Sequence, residues 1–440
     1  MGSDELGAAR LSFRSGRLAQ RFRILRRPYR LLCENGRGRL CSPGAPEHPD
    51  SCGDAAGPLG EDGQLQTAHA DFPHEGRRSL SEPGKPIKVP QRPLAPSRIL
   101  RPTVSRAGGG RDRASLVAKS YEMIAEGSKS FASASKLFDR GTRERVWLLY
   151  AWCRRCDDIA DGQDLGGELG DQSDIADRVK AIRVLTKRAL EGQPTADIAF
   201  DAFGQVAAEC NLTMEMANDV IAGFELDARG WRPRTGRDLA RYCYHVAGAV
   251  GVMMARIMGV RPEDEYTLAR ACDLGLAFQL ANIARDMDED DAAGRCYIPE
   301  EWLAEQDIEP GQLMKPHHRG EAADIARDLV LRMHRHQRAA RLGTVRLPFR
   351  SRWAILAAAN IYSEIGYEVD RRGKQAWDRR VVIPRIKKLQ LITRAFAEAL
   401  RNKPLPPDEM PEWELGDILI DVRMLGDIPE QEIKPLPDEE

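Results

Sequence analysis

Residues 276–299 read LAFQLANIARDMDEDDAAGRCYIP, and residues 150–161 read YAWCRRCDDIAD. In both, apolar residues recur at three- and four-residue spacing, which is the period of a helix and not of a strand. Each stretch also carries aspartates four apart, Asp157 and Asp161 in one and Asp286 and Asp290 in the other. At that spacing the carboxylates share a helix face, and their repulsion costs a helix about 0.2–0.5 kcal/mol per pair. One such run alone is ordinarily a solvated acidic face. Two of them, each beside an apolar stretch and an arginine (Arg154 and Arg155; Arg285), point to something cationic that offsets the repulsion. Mg²⁺ takes oxygen ligands and shares its shell with substrate phosphates. Two carboxylate faces opposed across a helical bundle would therefore hold Mg²⁺ for a diphosphate.

The same texture extends outward from these stretches. Helices are expected near 114–137, 142–162, 173–191, 197–210, 213–228, 236–259, 264–288, 320–344, 350–371 and 385–402, separated by Gly, Pro or Asp breaks. No convincing strand and no fixed-period repeat appears, so the fold class is all-α. The formal charge of −1 over 440 residues is a cancellation: +8 over 1–114, zero over 115–402 and −9 over 403–440. The N-terminal segment, with 12 Pro and 15 Gly, and the C-terminal one, with seven Pro and twelve acids, cannot bury enough apolar surface to offset chain ordering. The expected organisation is a disordered basic extension over 1–113, one helical domain over 114–402, and a loose acidic tail over 403–440.

No apolar run approaches the roughly 20 residues of a membrane span; the best, 246–255, is interrupted by Arg256. Nine cysteines without framework spacing, and no signal-peptide pattern, lead to the expectation of a reducing, cytoplasmic setting. Cys153 and Cys156 form a CxxC pair that nothing completes into a zinc site. The Arg-rich stretch 10–30 is read as an unselected tail in preference to a targeting helix, and no reader fold for nucleic acid is present. Gly248 and Gly251 lie inside an expected helix, where Gly costs about 1 kcal/mol relative to Ala. Close approach of a substrate chain or of a neighbouring helix would each account for them.

The two acidic stretches resemble the aspartate-rich motifs of the squalene/phytoene synthase family, most of all those of its bacterial, phytoene-forming members. Further segments agree in order: GSKSFASASKLF (127–138), GFELDARGW (223–231) with RYCYHVAGAVGVMMARIMGV (241–260), and IYSEIGYEV (361–369) with QAWDRR (375–380). The resemblance covers essentially all of 114–402 and neither tail. It implies an isoprenoid-synthase helical bundle around a central cavity, and the head-to-head condensation of two geranylgeranyl diphosphates through a cyclopropylcarbinyl diphosphate to phytoene. A C15 diphosphate as substrate, and a non-catalytic lipid-binding or assembly protein of the same fold, are the alternatives. By similarity Asp157, Asp161, Asp286 and Asp290 hold Mg²⁺, for which Mn²⁺ can substitute, and no NADPH is expected. Arg154, Arg285, Gln279 and Asn282 contact the metal-bound diphosphate, and Ser128, Lys129, Ser130 and Phe131 form a flap over it. Tyr150, Tyr242, Tyr297 and Tyr362 face the cavity, and Arg379, with Lys387 more weakly, reaches a diphosphate. The sequence departs from the pattern at Ala281, where Thr is expected, and at Gly162, where an acid is frequent. Because substrate and product are lipophilic, peripheral membrane contact and other carotenoid-pathway enzymes are the expected partners.

Overall fold

The computed structural model describes residues 105–127, 134–161 and 175–424, all within one unit of the chain, Arg92–Glu440. Among them are helices and single turns and no strand. The helices are α1 (Arg113–Gly127), α2 (Arg140–Asp161), α3 (Ile175–Leu190), α4 (Ile198–Cys210), α5 (Met214–Ala228), α6 (Gly236–Cys243), α7 (Ala249–Ile257), α8 (Glu265–Ala292), α9 (Glu300–Ala304), α10 (Arg319–Thr344), α11 (Phe349–Arg372), α12 (Arg385–Arg401) and α13 (Leu415–Met424). A π-helical segment, Tyr244–Gly248, joins α6 to α7. No described helix is long and apolar enough to cross a membrane.

Local chemistry starts the helices where the sequence suggests. Asp139 accepts from Thr142 N at 3.0 Å ahead of α2, Thr235 and Asp238 form a reciprocal capping box on α6, and the Asp264 side chain accepts from Thr267 N at 3.2 Å at the start of α8. The bundle closes around α8, which packs against α7, the π segment, α10 and α11, while α2 packs against α1, α3, α4, α5 and α7. Trp152 of α2 is fully buried, stacks on Phe203 of α4 at 4.2 Å and donates to Thr186 Oγ1 of α3 at 3.2 Å. That contact ties three helices at one point and leaves the opposite face of α2 free for polar work.

The glycines of the 246–260 stretch are explained by helix packing. A Cβ on Gly251 would lie 2.5 Å from Ala271 O of α8, and one on Gly248 would meet Leu276 and Cys272 of the same helix within 3 Å. From the other side, a Cβ on Gly275 of α8 would lie 2.4 Å from Ala247 O. The two backbones touch, and no room for a substrate chain is left along this seam.

Packed structure extends beyond 114–402 on both sides. On the N-terminal side Arg106 N donates to Gly192 O at 2.9 Å, Arg111 pairs with buried Asp201 at 2.7 Å, and Gly108 is buried. On the C-terminal side Trp413 and Ile418 are buried and 415–424 is a helix packed on α6 and α8. The acids that mark this stretch as a tail have cations waiting on α10: Glu412 pairs with Arg332 at 2.5 Å and Glu409 with Arg335 at 2.7 Å, while Arg338 donates to Pro406 O at 2.6 Å. The Arg332 guanidinium lies 5.0 Å from the ring centres of both Trp302 and Trp413.

Candidate functional site

On α2, residues 150, 154, 157 and 161 follow one another at helical spacings and fall on one stripe. On α8 residues 279, 282, 286 and 290 do the same. The described side chains of both stripes are partly exposed, between the buried faces that hold each helix in the bundle.

On α2, Arg154 spans two carboxylates: Nη1 lies 3.2 Å from Asp157 Oδ2 and Nη2 lies 2.8 Å from Asp158 Oδ1. Asp158 is almost fully buried and Asp157 half exposed. Asp158 thus fixes the guanidinium from the buried side, and Asp157 shares it from the more exposed side. Asp161 closes the helix, and its side chain, like residues 128–131, lies outside the described residues. Tyr150 sits one turn before Arg154, its hydroxyl pKa raised by burial. The Cys153 thiol is pushed up to about 12, chiefly by burial and then by Asp157, and burial also holds the Cys156 thiol well above its ordinary value. Neither supplies a thiolate for a metal at neutral pH.

On α8, Arg285 forks onto its neighbour Asp286, with Nε 2.6 Å from Oδ1 and a second contact from Nη2 to Oδ2. Arg380 joins the same carboxylate, Nη2 to Oδ1 at 2.8 Å, and reaches Glu289 at 2.6 Å. It is carried there by the 375–380 segment, which Trp377 pins to α8 by donating to Ala284 O at 3.1 Å. Arg379 is exposed and its side chain makes no hydrogen bond or ion pair among the described residues, so the cation that segment delivers to Asp286 is its neighbour. Lys387 is paired with Glu364 at 2.8 Å. Tyr362 stacks on Phe278 at 4.1 Å, one residue before Gln279.

Asp290 stands apart from these arginines. Its carboxyl is pushed up to about 7, first by burial and then by the negative charge of Asp286, with Asp227 and Glu289 adding to it against Arg295. Asp227, at the end of α5, accepts from both Tyr242 and Tyr297, each hydroxyl 2.8 Å from the same Oδ1. The two rings stack at 4.8 Å, with Trp231 beyond Tyr242. Gly294, with φ +71°, reverses the chain after α8, so that Arg295 N donates back to Asp290 O at 2.8 Å and Tyr297 arrives beside Asp227. A shallow surface pocket adjoins it, lined in part by Met287, Asp290, Asp291, Arg295 and Tyr297.

The structure therefore joins Arg285 with Asp286, Arg154 with Asp157, and Tyr242 with Tyr297. Among the described residues no hydrogen bond or ion pair joins the α2 set to the α8 set; the two helices meet α7 in common. Asp227, Asp158 and Arg380 are members that reading the sequence did not single out. Asp158 was within reach of it, standing four residues after Arg154; Asp227 and Arg380 act across the fold.

No three described acidic, His or Cys side chains are preassembled as a metal cage. The donor chemistry nevertheless suits a hard cation: all ligands on offer are carboxylate oxygens, Asp286 already holds cationic partners, and Asp290 carries an unfavourable negative charge that a cation would relieve. One consequence is measurable without turnover. Asp290 has its folded pKa raised, so the folded chain binds more protons than the unfolded one between about 4 and 7, and its contribution to stability falls as pH rises through that window. The ion-free protein should lose thermal stability from pH 5 to pH 8, an Asp290→Asn variant should lose less, and Mg²⁺ should raise the wild-type midpoint more at pH 8 than at pH 6. Equal Mg²⁺ shifts at the two pH values would contradict this.

Comparison with known proteins gives a consistent picture. The family described as squalene/phytoene synthase matches residues 124–387. The chain is 43% identical over 304 residues to a 15-cis-phytoene synthase of Pantoea ananas, covering 68% of this chain and 98% of that one. It is 46% identical over 279 residues to a 15-cis-phytoene synthase of Enterobacter agglomerans, covering 63% and 94%. Among solved structures, a dehydrosqualene synthase in complex with ligand superposes with a TM-score of 0.59 at 25% identity, covering 66% of this chain and 98% of that one.

Proposed function

Because the chain belongs to the squalene/phytoene synthase family, we propose that it is a prenyltransferase that condenses two geranylgeranyl diphosphates head to head, through a cyclopropylcarbinyl diphosphate, to phytoene. The observation that carries this reading is the pair of stripes on α2 and α8, in a chain that is 43–46% identical to relatives named phytoene synthases over nearly their whole length.

The chemistry asks for a site that receives a strongly anionic leaving group while keeping water from an allylic cation. Arg154 and Arg285 are already oriented by Asp158 and Asp286, and such preorganised cations stabilise charge that develops as the carbon–oxygen bond breaks. Asp157, Asp286 and Asp290, with Asp161 on the same stripe, are the residues that would hold Mg²⁺. The ion when bound supplies further neutralisation of the departing diphosphate. Asn282 and Gln279 precede Asp286 on that stripe and bind phosphate oxygens. The stacked Tyr242 and Tyr297 commit both hydroxyl hydrogens to Asp227, so neither phenol is free to donate to the substrate. Both phenols are held neutral, burial being the largest cause, so neither competes as a base.

Purified protein given geranylgeranyl diphosphate and Mg²⁺ should yield a C40 hydrocarbon by mass spectrometry, without NADPH. A competing reading, with a C15 diphosphate as substrate, is favoured only by the likeness to a dehydrosqualene synthase at 25% identity. A mixture of C15 and C20 diphosphates giving mainly C30 product would establish it. Lipid substrate and product favour a position at the cytoplasmic membrane surface, beside the enzymes that supply and consume them.

A further inference from the structure

We propose that the outer face of α12 is a docking surface for an anionic lipid bilayer. This deepens the reading above, whose substrate and product are lipids; it rests on that reading for its purpose and on the following geometry for its evidence.

α12 has two apolar faces. The inner one, Leu391, Ala395 and Ala399, is buried, Ala395 and Ala399 with Leu356 and Ala357 of α11, and Trp353 donates to Ile392 O at 3.1 Å. The outer one, Ile386, Leu389, Phe396 and Leu400, at spacings of three, seven and four residues, forms a second stripe rotated away from the first. Ile386, Leu389 and Leu400 are 63–76% exposed, and Val382 and Leu405 extend the stripe at its two ends at 67% and 74%. Phe349 of α11 packs edge-on to Phe396 at 5.6 Å and widens it. Seven of the twelve exposed large hydrophobic residues among those described fall in this one region. A concentration of that kind on an otherwise polar surface marks an interaction site.

The charges around the stripe choose the occupant. α12 carries Arg385, Lys387, Lys388, Arg394 and Arg401, with Glu398 as its single acid. Glu398 is taken up by Arg341 and Lys387 by Glu364. Arg385, Arg394 and Arg401 remain exposed with no ion pair among the described residues. An apolar stripe flanked by uncompensated arginines is the pattern of a helix lying in the headgroup region, its side chains in the acyl boundary and its cations on anionic lipid. A second copy of the chain paired through this face would bring the same arginines toward each other, which opposes self-association.

Flotation of the full chain with vesicles tests this. Wild type should float with phosphatidylcholine–phosphatidylglycerol vesicles, less so as salt rises, and weakly with phosphatidylcholine alone. The triple variant Ile386→Ser, Leu389→Ser, Leu400→Ser, at exposed positions, should keep its thermal midpoint and its turnover of detergent-dispersed substrate, and lose vesicle binding by about tenfold or more. Replacing Arg385, Arg394 and Arg401 by Gln should abolish the preference for anionic vesicles. The proposal is overturned if the apolar triple variant floats like wild type, as it would were the 10–30 segment the anchor. It is also overturned if wild type ignores both vesicles, or if wild type is a dimer that this variant converts to monomer. Loss of wild-type turnover in detergent would count against the enzymatic reading alone and leave the flotation result standing.

Discussion

Replacing Asp286 by Ala should lower kcat/KM for geranylgeranyl diphosphate by about 10³-fold or more, the scale seen when a preorganised charge-stabilising group is removed, while moving the thermal midpoint by only a few degrees. Asp286 holds two guanidinium groups, Arg285 beside it and Arg380 from the 375–380 segment. Its loss removes a cation ligand and unfastens both arginines at once. A 10³-fold loss is about 4 kcal/mol of transition-state stabilisation. Asp286→Asn separates the two contributions, because the amide oxygen still accepts from Arg285 but carries no charge for an ion. It should resemble the Ala variant in turnover, and the fall of the Asp290 pKa from about 7 toward the ordinary carboxylate range should appear in both. Asp157→Ala on α2 should be as damaging. Turnover within tenfold of wild type in the Asp286→Ala and Asp157→Ala proteins would mean that the acidic stripes are structural and do not hold the metal–diphosphate.

The two stripes were legible in the sequence because each lies within a single helix, where residue spacing alone decides which side chains share a face. The expected helix 264–288 runs four residues further, to Ala292, carrying Asp290 on a regular turn. Five acids within the six residues 286–291 argue locally for a helix end. The cations that offset it, Arg319 on Asp288 and Arg380 on Asp286 and Glu289, are 31 and more than 90 residues away and invisible to any local pattern. Asp227 escaped notice for the same reason. Its meaning comes from Tyr242 and Tyr297, which reach it from α6 and from the turn after α8. The acidic stretch over 403–424 shows the error in the other direction: composition describes how a segment behaves alone, and α10 presents Arg332 and Arg335 so that it does not remain alone. For the glycines, helix propensity could say that Gly248 and Gly251 needed a reason. Only the packing of α7 on α8 says which one.

That packing makes the second large prediction a matter of stability. Gly275→Ala should destabilise the protein by about 3 kcal/mol, the upper part of the range for overpacked cores, and lower the thermal midpoint by roughly 6–10 °C. The added methyl would meet Ala247 O at 2.4 Å, Ala247 C at 2.6 Å and Gly248 Cα at 2.7 Å, all backbone, so no side chain can swing away to receive it. The helices must separate, or the π segment must shift. Gly251→Ala strains the same seam, meeting Ala271 O at 2.5 Å, and once one methyl has forced the helices apart the second costs less. The double variant should therefore be less destabilised than the two single effects added together. Gly416→Ala is the control: nothing lies within 4 Å of its Cβ, it sits in the first turn of α13, and Ala there should be neutral or stabilising. The seam also sets the distance from α8 to the helix that continues from Tyr242. Below its melting temperature, the Gly275→Ala protein should show reduced turnover with Asp286, Asp290 and Tyr242 all intact. A midpoint within two degrees of wild type would mean that the seam is looser than its glycines require.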